Sequence, residues 1–427
     1  MVGFLFLWTT MRQTTLKGVE DILPADIHRW QFLEQQADEV FSRCGYQQIR
    51  IPIIEPAQLF VRSIGEQTDI VEKEMYSFTD RGERQICLRP EATASVVRAY
   101  LQHQFDGQGG CAQFYYYGPM FRGERPQAGR QRQFHQVGVE AIGSYSPLLD
   151  ADVVMTALRY IECLGLRRYR LQLNSVGCPE DKTNYAQQLR DFLSGQRSGL
   201  CESCVSRLER NVLRVLDCKN SACRQIIASA PHIEHAHCAQ CREHFAAVQE
   251  MLRSQKAEFE INPYLVRGLD YYTRTVFEIP HGQLGAQNAI CAGGRYDNLV
   301  AELGGSPAGA VGFAFGMERL LIALESESTA ISEKTRPLVY VAGLGVVAMR
   351  AVFSIVQEIR AQGVAAVFSY EERSLKSHLK RADKLKANHA VIIGEEELAS
   401  GTILVRDMRR SIQQSIPSSL LRSALEI

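Results

Sequence analysis

From Asp26 to Cys44 the apolar residues Ile27, Trp30, Leu33, Ala37, Val40 and Phe41 recur three or four positions apart, and Gly45 follows. That spacing predicts a helix with one buried stripe, stopped by a residue suited to the left-handed turn beyond a C-terminus. Gln47 to Ile54 is strand-like but contains Pro52, which cannot donate to a ladder, so this strand belongs at a sheet edge or a subunit contact. Ile86 to Pro90 reads as a short strand and Glu91 to Gln104 as a helix, which puts Glu91 at a helix N-terminus facing whatever sits there. Gln113 to Met120 and Phe134 to Ile142 are two further strands, and in the second Gln136, Gly138, Glu140 and Ile142 share one face. Asp150 to Leu164, ended by Gly165, is the next helix.

Residues 177–261 change in texture: charged, cysteine-rich and helical in period, they read as an inserted subdomain. Strand patterns return at Tyr264 to Ile279, Asn288 to Ala292 and Ala310 to Phe315, followed by a helix from Met317 to Leu324. The stretch from Glu325 to Arg336 is polar and weakly periodic ahead of Pro337, as a linker should be. Beyond it Leu338 to Ala342, Val364 to Phe368, Ala390 to Ile393 and Ile403 to Val405 are strands alternating with helical stretches, a small α/β domain. The expected organisation is a leading segment 1–10, a core in two parts (11–176 and 262–325) split by the helical insertion 177–261, a linker 326–336 and a C-terminal domain 337–427. The fold class is α/β in the broad, α+β sense.

At 427 residues and 45% hydrophobic content the chain can bury two or three cores. Its formal charge is zero, so a nucleic-acid partner has to be met by local basic patches. The opening MVGFLFLWTT lacks a charged leader and a cleavage pattern, and is neither a signal nor a membrane span. Met11 opens an ordinary polar start, so residues 1–10 read as a non-native or disordered extension. Twelve cysteines without a secretion signal fit a reducing cytosol, and the expected location is cytoplasmic.

Arg122, Arg125, Arg130 and Arg132 crowd the turn between the two long strands, as a polyphosphate site would require. At about 3.3 Å per residue Gln136 and Glu140 lie about 13 Å apart, with Gly138 between them as the floor of a groove. Arg267-Gly-Leu-Asp-Tyr-Tyr272 joins a cation to two phenols, and Cys291-Ala-Gly-Gly-Arg-Tyr296 offers glycines where backbone can approach a ligand. In Gly309 to Leu320 a strand of small residues runs into a helix bearing Arg319, which can lie flat over an aromatic base. Taken singly, each has a plain alternative: a solvated basic hairpin, surface turns, core tyrosines. Gly343-Leu-Gly345-Val-Val-Ala348 mimics a dinucleotide fingerprint, but about 90 residues is small for that fold and it reads as a short turn.

Cys201-x-x-Cys204 and Cys238-x-x-Cys241, with Cys218, Cys223, His232, His235 and His237 between, supply enough ligands for a structural zinc. The two pairs stand 33 residues apart, longer than compact ribbon spacings, so reduced cysteines in a helical insertion stay open as the other reading.

LRPEATA, FRGERPQAGRQRQFHQVGVE, RGLDYYTRTVFE, AGGRYDNL and GFAFGMERL follow one another in the order of class II aminoacyl-tRNA synthetases, and IRIPIIEP resembles their first motif. RGLDYY and AGGRYD resemble the histidyl-tRNA synthetase family, over nearly all of residues 11–427. The resemblance implies a catalytic core on an antiparallel sheet with helices, a C-terminal anticodon-binding domain and a homodimer. It implies L-histidine, ATP with Mg2+ and tRNA(His) as partners, a ligase forming histidyl-adenylate, and no membrane. Arg122 and Arg267 would be the catalytic cations, with Arg130, Phe134 and Arg319 completing the ATP site. Glu91, Thr93, Gln136, Glu140, Tyr271 and Tyr272 would bind histidine, and Arg125 and Gln127 would approach the acceptor end of the tRNA. Lys376, Lys380 and Lys384, one turn apart, offer a basic stripe in the C-terminal domain; a solvated helix face is its alternative. A second reading of the family resemblance is a non-catalytic paralogue such as the regulatory subunit of ATP phosphoribosyltransferase, which typically lacks the arginine loop and the anticodon domain.

Overall fold

The computed structural model describes residues 13–65, 68–284, 288–329, 331 and 338–425. The expected extension 1–10 lies outside them, as does most of the expected linker. By internal contacts the chain divides into two units, 1–331 and 332–427.

The first unit is built on an eight-stranded sheet in the order Gln47–Gln48, Ala112–Phe121, Gln133–Ile142, Ala310–Gly316, Ala289–Arg295, Thr273–Pro280, Gln172–Ser175, Glu260–Ile261. Its inner pairs are antiparallel, and the two outermost pairs are parallel. The central hairpin pairs Ala112 with Ile142 through to Phe121 with Gln133, so the two-residue period of each strand sorts its side chains cleanly. Val137, Val139 and Ala141 face the helices Ile27–Arg43, Pro147–Cys163 and Met317–Ser326, and form the main core with Phe277, Phe313 and Phe315. In the Ile27–Arg43 helix Leu33, Ala37, Val40 and Phe41 of the expected stripe are buried, while Trp30 is half-buried and Ile27 is exposed. Leu33, Val40 and Phe41 each contribute about 1.5–3 kcal/mol on full burial, enough to fix which way the helix faces. The opposite face of the sheet carries Tyr116, Tyr296 and Glu140 under the Thr93–Gln102 helix.

Three expectations about elements change. The strand containing Pro52 does not run through: Gln47–Gln48 joins the sheet edge, and the chain forms a new strand only at Ile54–Pro56, in a three-stranded sheet with Gln85–Leu88 and Ser77–Thr79. The helix expected from Glu91 starts at Thr93, because the Glu91 carboxylate accepts the amide hydrogens of Thr93 and Ala94 and serves as the cap. The strand expected from Tyr264 starts at Thr273. Before it, the Asn174 amide holds the carbonyls of Pro263 and Leu265 and keeps the chain in a loop.

In the insertion, the helices Pro179–Ser194, Glu202–Arg210 and Ser221–Ile227 share a core of Tyr185, Leu189, Cys204, Leu208 and Val215. Its last helix, Ala239–Ser254, sends Val248 and Leu252 into the main core, so the insertion is anchored to the sheet it interrupts.

The second unit is a five-stranded sheet in the order Ala365–Phe368, Leu338–Gly343, His389–Ile393, Thr402–Asp407, Gln413–Pro417, the first three parallel and the rest antiparallel. Lys376, Lys380 and Lys384 lie exposed along the Leu375–Lys384 helix. That helix turns His378 and Ala382 inward, with His378 bonded to the Tyr340 hydroxyl, while Leu375 stays exposed. Among the described residues no helix is long and apolar enough to cross a membrane.

Candidate active site

A cavity of about 600 Å³ opens on the polar face of the large sheet. Its lining brings together side chains far apart in sequence: Arg122, Arg130, Phe134, Gln136 and Glu140 of the hairpin, Glu91 and Thr93 at a helix start, Arg267, Tyr271 and Tyr272 of the loop, and Arg319.

At one end are four arginines. The Arg122 guanidinium lies 5.3 Å from the centre of the Phe134 ring and donates to the Pro90 carbonyl at 3.0 Å. Arg130 pairs with Glu124 at 2.7 Å. Arg319 donates to the carbonyls of Gly129 (3.0 Å) and Ala289 (2.7 Å), tying its helix to the hairpin tip. Burial pushes the Arg319 pKa down, and the neighbouring Arg130 and Arg122 push it further against the opposing pull of Glu124 and Glu278. Arg267 pairs with Glu278 at 2.5 Å. Burial opposes the Arg267 charge, but Glu278 and Tyr272 outweigh it and raise the pKa. A polyanion entering here would find donors already aimed and one net attraction. Arg125 and Gln127 are exposed and stand outside the cavity lining; Gln127 pairs with Arg130 through the backbone at the hairpin tip. Arg132 is also outside the lining, and donates to the Glu124 carbonyl.

The floor at the other end is Glu140, 1% exposed. It accepts hydrogen bonds from Thr93 (2.7 Å), Tyr116 (3.3 Å) and Tyr296 (2.5 Å). Burial drives its pKa up to about 8, and the hydroxyls only partly offset that. The recess exists because Gly312, its partner across the strand pair, has no side chain: a Cβ there would come within 1.9 Å of the Glu140 carboxylate. Gly138, by contrast, is not open floor. Tyr116 sits directly opposite, and its hydroxyl fills the space that a Cβ on Gly138 would meet at 2.7 Å. Glu91 is buried beside this floor with its pKa raised by burial, despite the amides it caps. The rings of Tyr271 and Tyr272 lie 4.7 Å apart, and Tyr272, pushed up to about 12 mainly by burial, keeps its proton as a donor.

Three contributors escaped the sequence reading. Tyr116 and Tyr296 look like core phenols in strand-rich text, and Glu278 looks like an exposed strand position. Their signal was partial, because Tyr296 lies in the AGGRYD run itself. The arginine of that run, Arg295, points away from the cavity. It is wholly buried and bonds Asp150 (2.9 Å), Asp297 (2.8 Å) and the carbonyls of Ser144 and Ser146, while His244 takes the other Asp150 oxygen at 2.8 Å. This ionic knot ties the turn at Ser144 and Ser146, which follows the Glu140 strand, to Asp150 in the next helix.

The cysteines regroup. Cys201-x-x-Cys204 and Cys238-x-x-Cys241 do not meet at a single site: the first pair joins Cys218 and Cys223, the second joins Cys178 and Asp181. The helices between the pairs carry them to separate corners of the insertion. None of the twelve cysteines forms a disulfide.

The histidyl-tRNA synthetase family model matches residues 18–320, and the anticodon-binding domain model matches residues 338–426. The chain is 46% identical to the histidine–tRNA ligase of Desulfitobacterium hafniense strain DCB-2 over 94% of this chain and 95% of that protein. It is also 46% identical to the histidine–tRNA ligase of Geobacter sulfurreducens, over 95% and 97%. Among solved structures, apo histidyl-tRNA synthetase of S. aureus superposes with a TM-score of 0.80 at 33% identity, covering 97% of this chain and all of that one. With motifs, fold and near full-length relatives in agreement, this chain belongs to the histidyl-tRNA synthetase family of class II aminoacyl-tRNA synthetases.

Proposed function

We propose that the cavity joins L-histidine to ATP, giving histidyl-adenylate and pyrophosphate, and then hands the histidyl group to the 3′ end of tRNA(His): a histidine–tRNA ligase. The observation that carries this reading is the convergence of Arg122, Arg267 and Arg319, from three separate segments, on one cavity floored by Glu140. The amino-acid carboxylate attacks the α-phosphorus of ATP, a new P–O bond forms, and the bond to the β-phosphate oxygen breaks. No protein nucleophile is needed, so catalysis rests on alignment and on cations matched to the charge of the departing pyrophosphate.

Arg122 and Arg267 serve the α-phosphate, with Arg122 also holding the substrate carboxylate. Arg130 serves the distal phosphates, while Phe134 and Arg319 sandwich adenine. ATP enters as its magnesium chelate, and the carboxylates of Glu124 and Glu278 in the lining are hard oxygen donors of the kind such an ion takes. Glu91 and Gln136 meet the amino-acid backbone. Glu140 and Tyr272, backed by Thr93 and Tyr271, meet the two imidazole nitrogens. A floor of buried polar groups rejects side chains that leave them unpaired.

Arg125 and Gln127, exposed at the hairpin tip, suit the tRNA acceptor end, and the exposed Lys376, Lys380 and Lys384 suit the anticodon region. Two copies pair through the face where Ile53, Ile54, Tyr76 and Phe78 stand exposed, and a molar mass in solution of one chain would overturn that. Twelve cysteines without a disulfide suit the cytoplasm.

The test is exchange of labelled pyrophosphate into ATP with each of the standard amino acids in turn. Histidine alone should support it; exchange driven by another amino acid overturns the specificity. The regulatory-paralogue reading is less supported, since the match runs through both the arginine hairpin and the anticodon-binding domain. A regulator would bind histidine and exchange nothing.

A further inference from the structure

Within the insertion the sequence runs Cys201-x-x-Cys204, thirteen residues, Cys218, four more residues and Cys223. Cys201 caps the Glu202–Arg210 helix and Cys204 lies in its first turn; Cys218 follows a short 3-10 turn, and Cys223 lies in the Ser221–Ile227 helix. The four sulfurs all lie within 4.8 Å of one another, and the Cys201 and Cys218 sulfurs are 3.9 Å apart. Thiolates about 2.3 Å from a tetrahedral zinc stand about 3.8 Å from each other, whereas a disulfide needs about 2.05 Å. The backbone amide of Cys201 donates to the Cys223 sulfur at 3.2 Å, the supporting bond that a metal-bound thiolate recruits. Cys204, Cys218 and Cys223 are buried and Cys201 half-buried, the setting of a structural site with four protein ligands.

We propose that Cys201, Cys204, Cys218 and Cys223 hold one structural zinc ion that clasps the two ends of the 205–217 segment and so fixes a wall of the catalytic cavity. The segment is worth clasping. Arg207 and Arg214 reach Asp69 at 3.6 and 3.7 Å, Arg210 reaches Glu72 at 3.5 Å, and Asn211 bonds Asp270, in the loop that carries Arg267, at 3.0 Å. Arg207, Arg214, Asp217 and Lys219 line the cavity together with Cys201 and Cys218 themselves. The other cluster, Cys178, Asp181, Cys238 and Cys241, is explained without an ion: the Asp181 carboxylate accepts the amides of Cys238 (2.9 Å) and Cys178 (3.3 Å).

The experiment compares zinc content, by elemental analysis, of the full chain purified under reducing conditions with that of Cys204→Ser/Cys223→Ser and Cys238→Ser/Cys241→Ser. One equivalent per chain should vanish in the first variant and remain in the second. Should the first variant fold poorly, the unaltered chain still decides. Cobalt added to metal-stripped protein should give thiolate charge-transfer bands with tetrahedral d–d absorption. Chelation should expose four further thiols to titration and speed hydrogen exchange in residues 205–217. A zinc-free protein with no cobalt bands, zinc that survives loss of Cys204 and Cys223, or four sulfurs found as two disulfides would each overturn the proposal.

Discussion

The two ends of the cavity hold charge in opposite ways. At the arginine end the cations are partly open to solvent and three of them are already paired, Arg130 and Arg122 sharing Glu124 and Arg267 with Glu278. At the floor a carboxyl group is sealed from solvent and touches neutral hydroxyls. The first arrangement keeps flexible side chains aimed while leaving charge to give to an arriving phosphate. The second makes a shape-defined recess whose charge depends on what enters. Rate should therefore depend on the first end and selectivity on the second.

That division can be broken by experiment. Arg267→Ala should lower kcat for pyrophosphate exchange by about 10²–10³, the cost of losing one aimed cation, with little change in histidine KM. An equal loss of histidine affinity would erase the contrast. Gly312→Ala puts a methyl group into the Glu140 carboxylate and should raise histidine KM by roughly 10–100-fold, from an overpacking cost of about 1–3 kcal/mol, with ATP affinity intact. An unchanged histidine KM would mean that the recess does not bind the side chain.

The pH dependence sharpens the contrast further. With its pKa raised to about 8, Glu140 carries a proton below that pH in the empty site. Free imidazole loses its own at about 6.5. A complex that keeps one proton between the two is favoured between those values; above pH 8 binding must take up a proton, below about 6.5 it must release one. Histidine affinity from calorimetry should peak in that window and fall on both sides, and Glu140→Gln should abolish the alkaline limb. The smallest effect is expected from Tyr296→Phe, which removes one donor to Glu140 at a cost of about 1 kcal/mol and should raise histidine KM severalfold.

The same contrast explains what could be read from residues alone. Arginines at Arg122, Arg130, Arg267 and Arg319 are conspicuous in their runs, and strand periodicity put Gln136 and Glu140 on one face before any neighbour was known. The partners of Glu140 were hidden because they act across strands. Gly312 matters through its register with Glu140, and Tyr116 through its register with Gly138 and its bond to Glu140. Neither relation is visible within a window of a few residues. The cysteine pairs were mis-sorted for a similar reason: their separation along the chain says nothing of how the intervening helices fold back. Pro52 signalled an edge correctly but not that the strand would stop, which depended on the second sheet competing for Ile54.

Glu140 rests against backbone, and backbone cannot be trimmed. A lineage drifting toward another amino acid could not enlarge position 312 without first shortening position 140. On the proposed reading of the recess the two neighbours have to change together, since neither substitution alone leaves both its shape and its carboxylate intact.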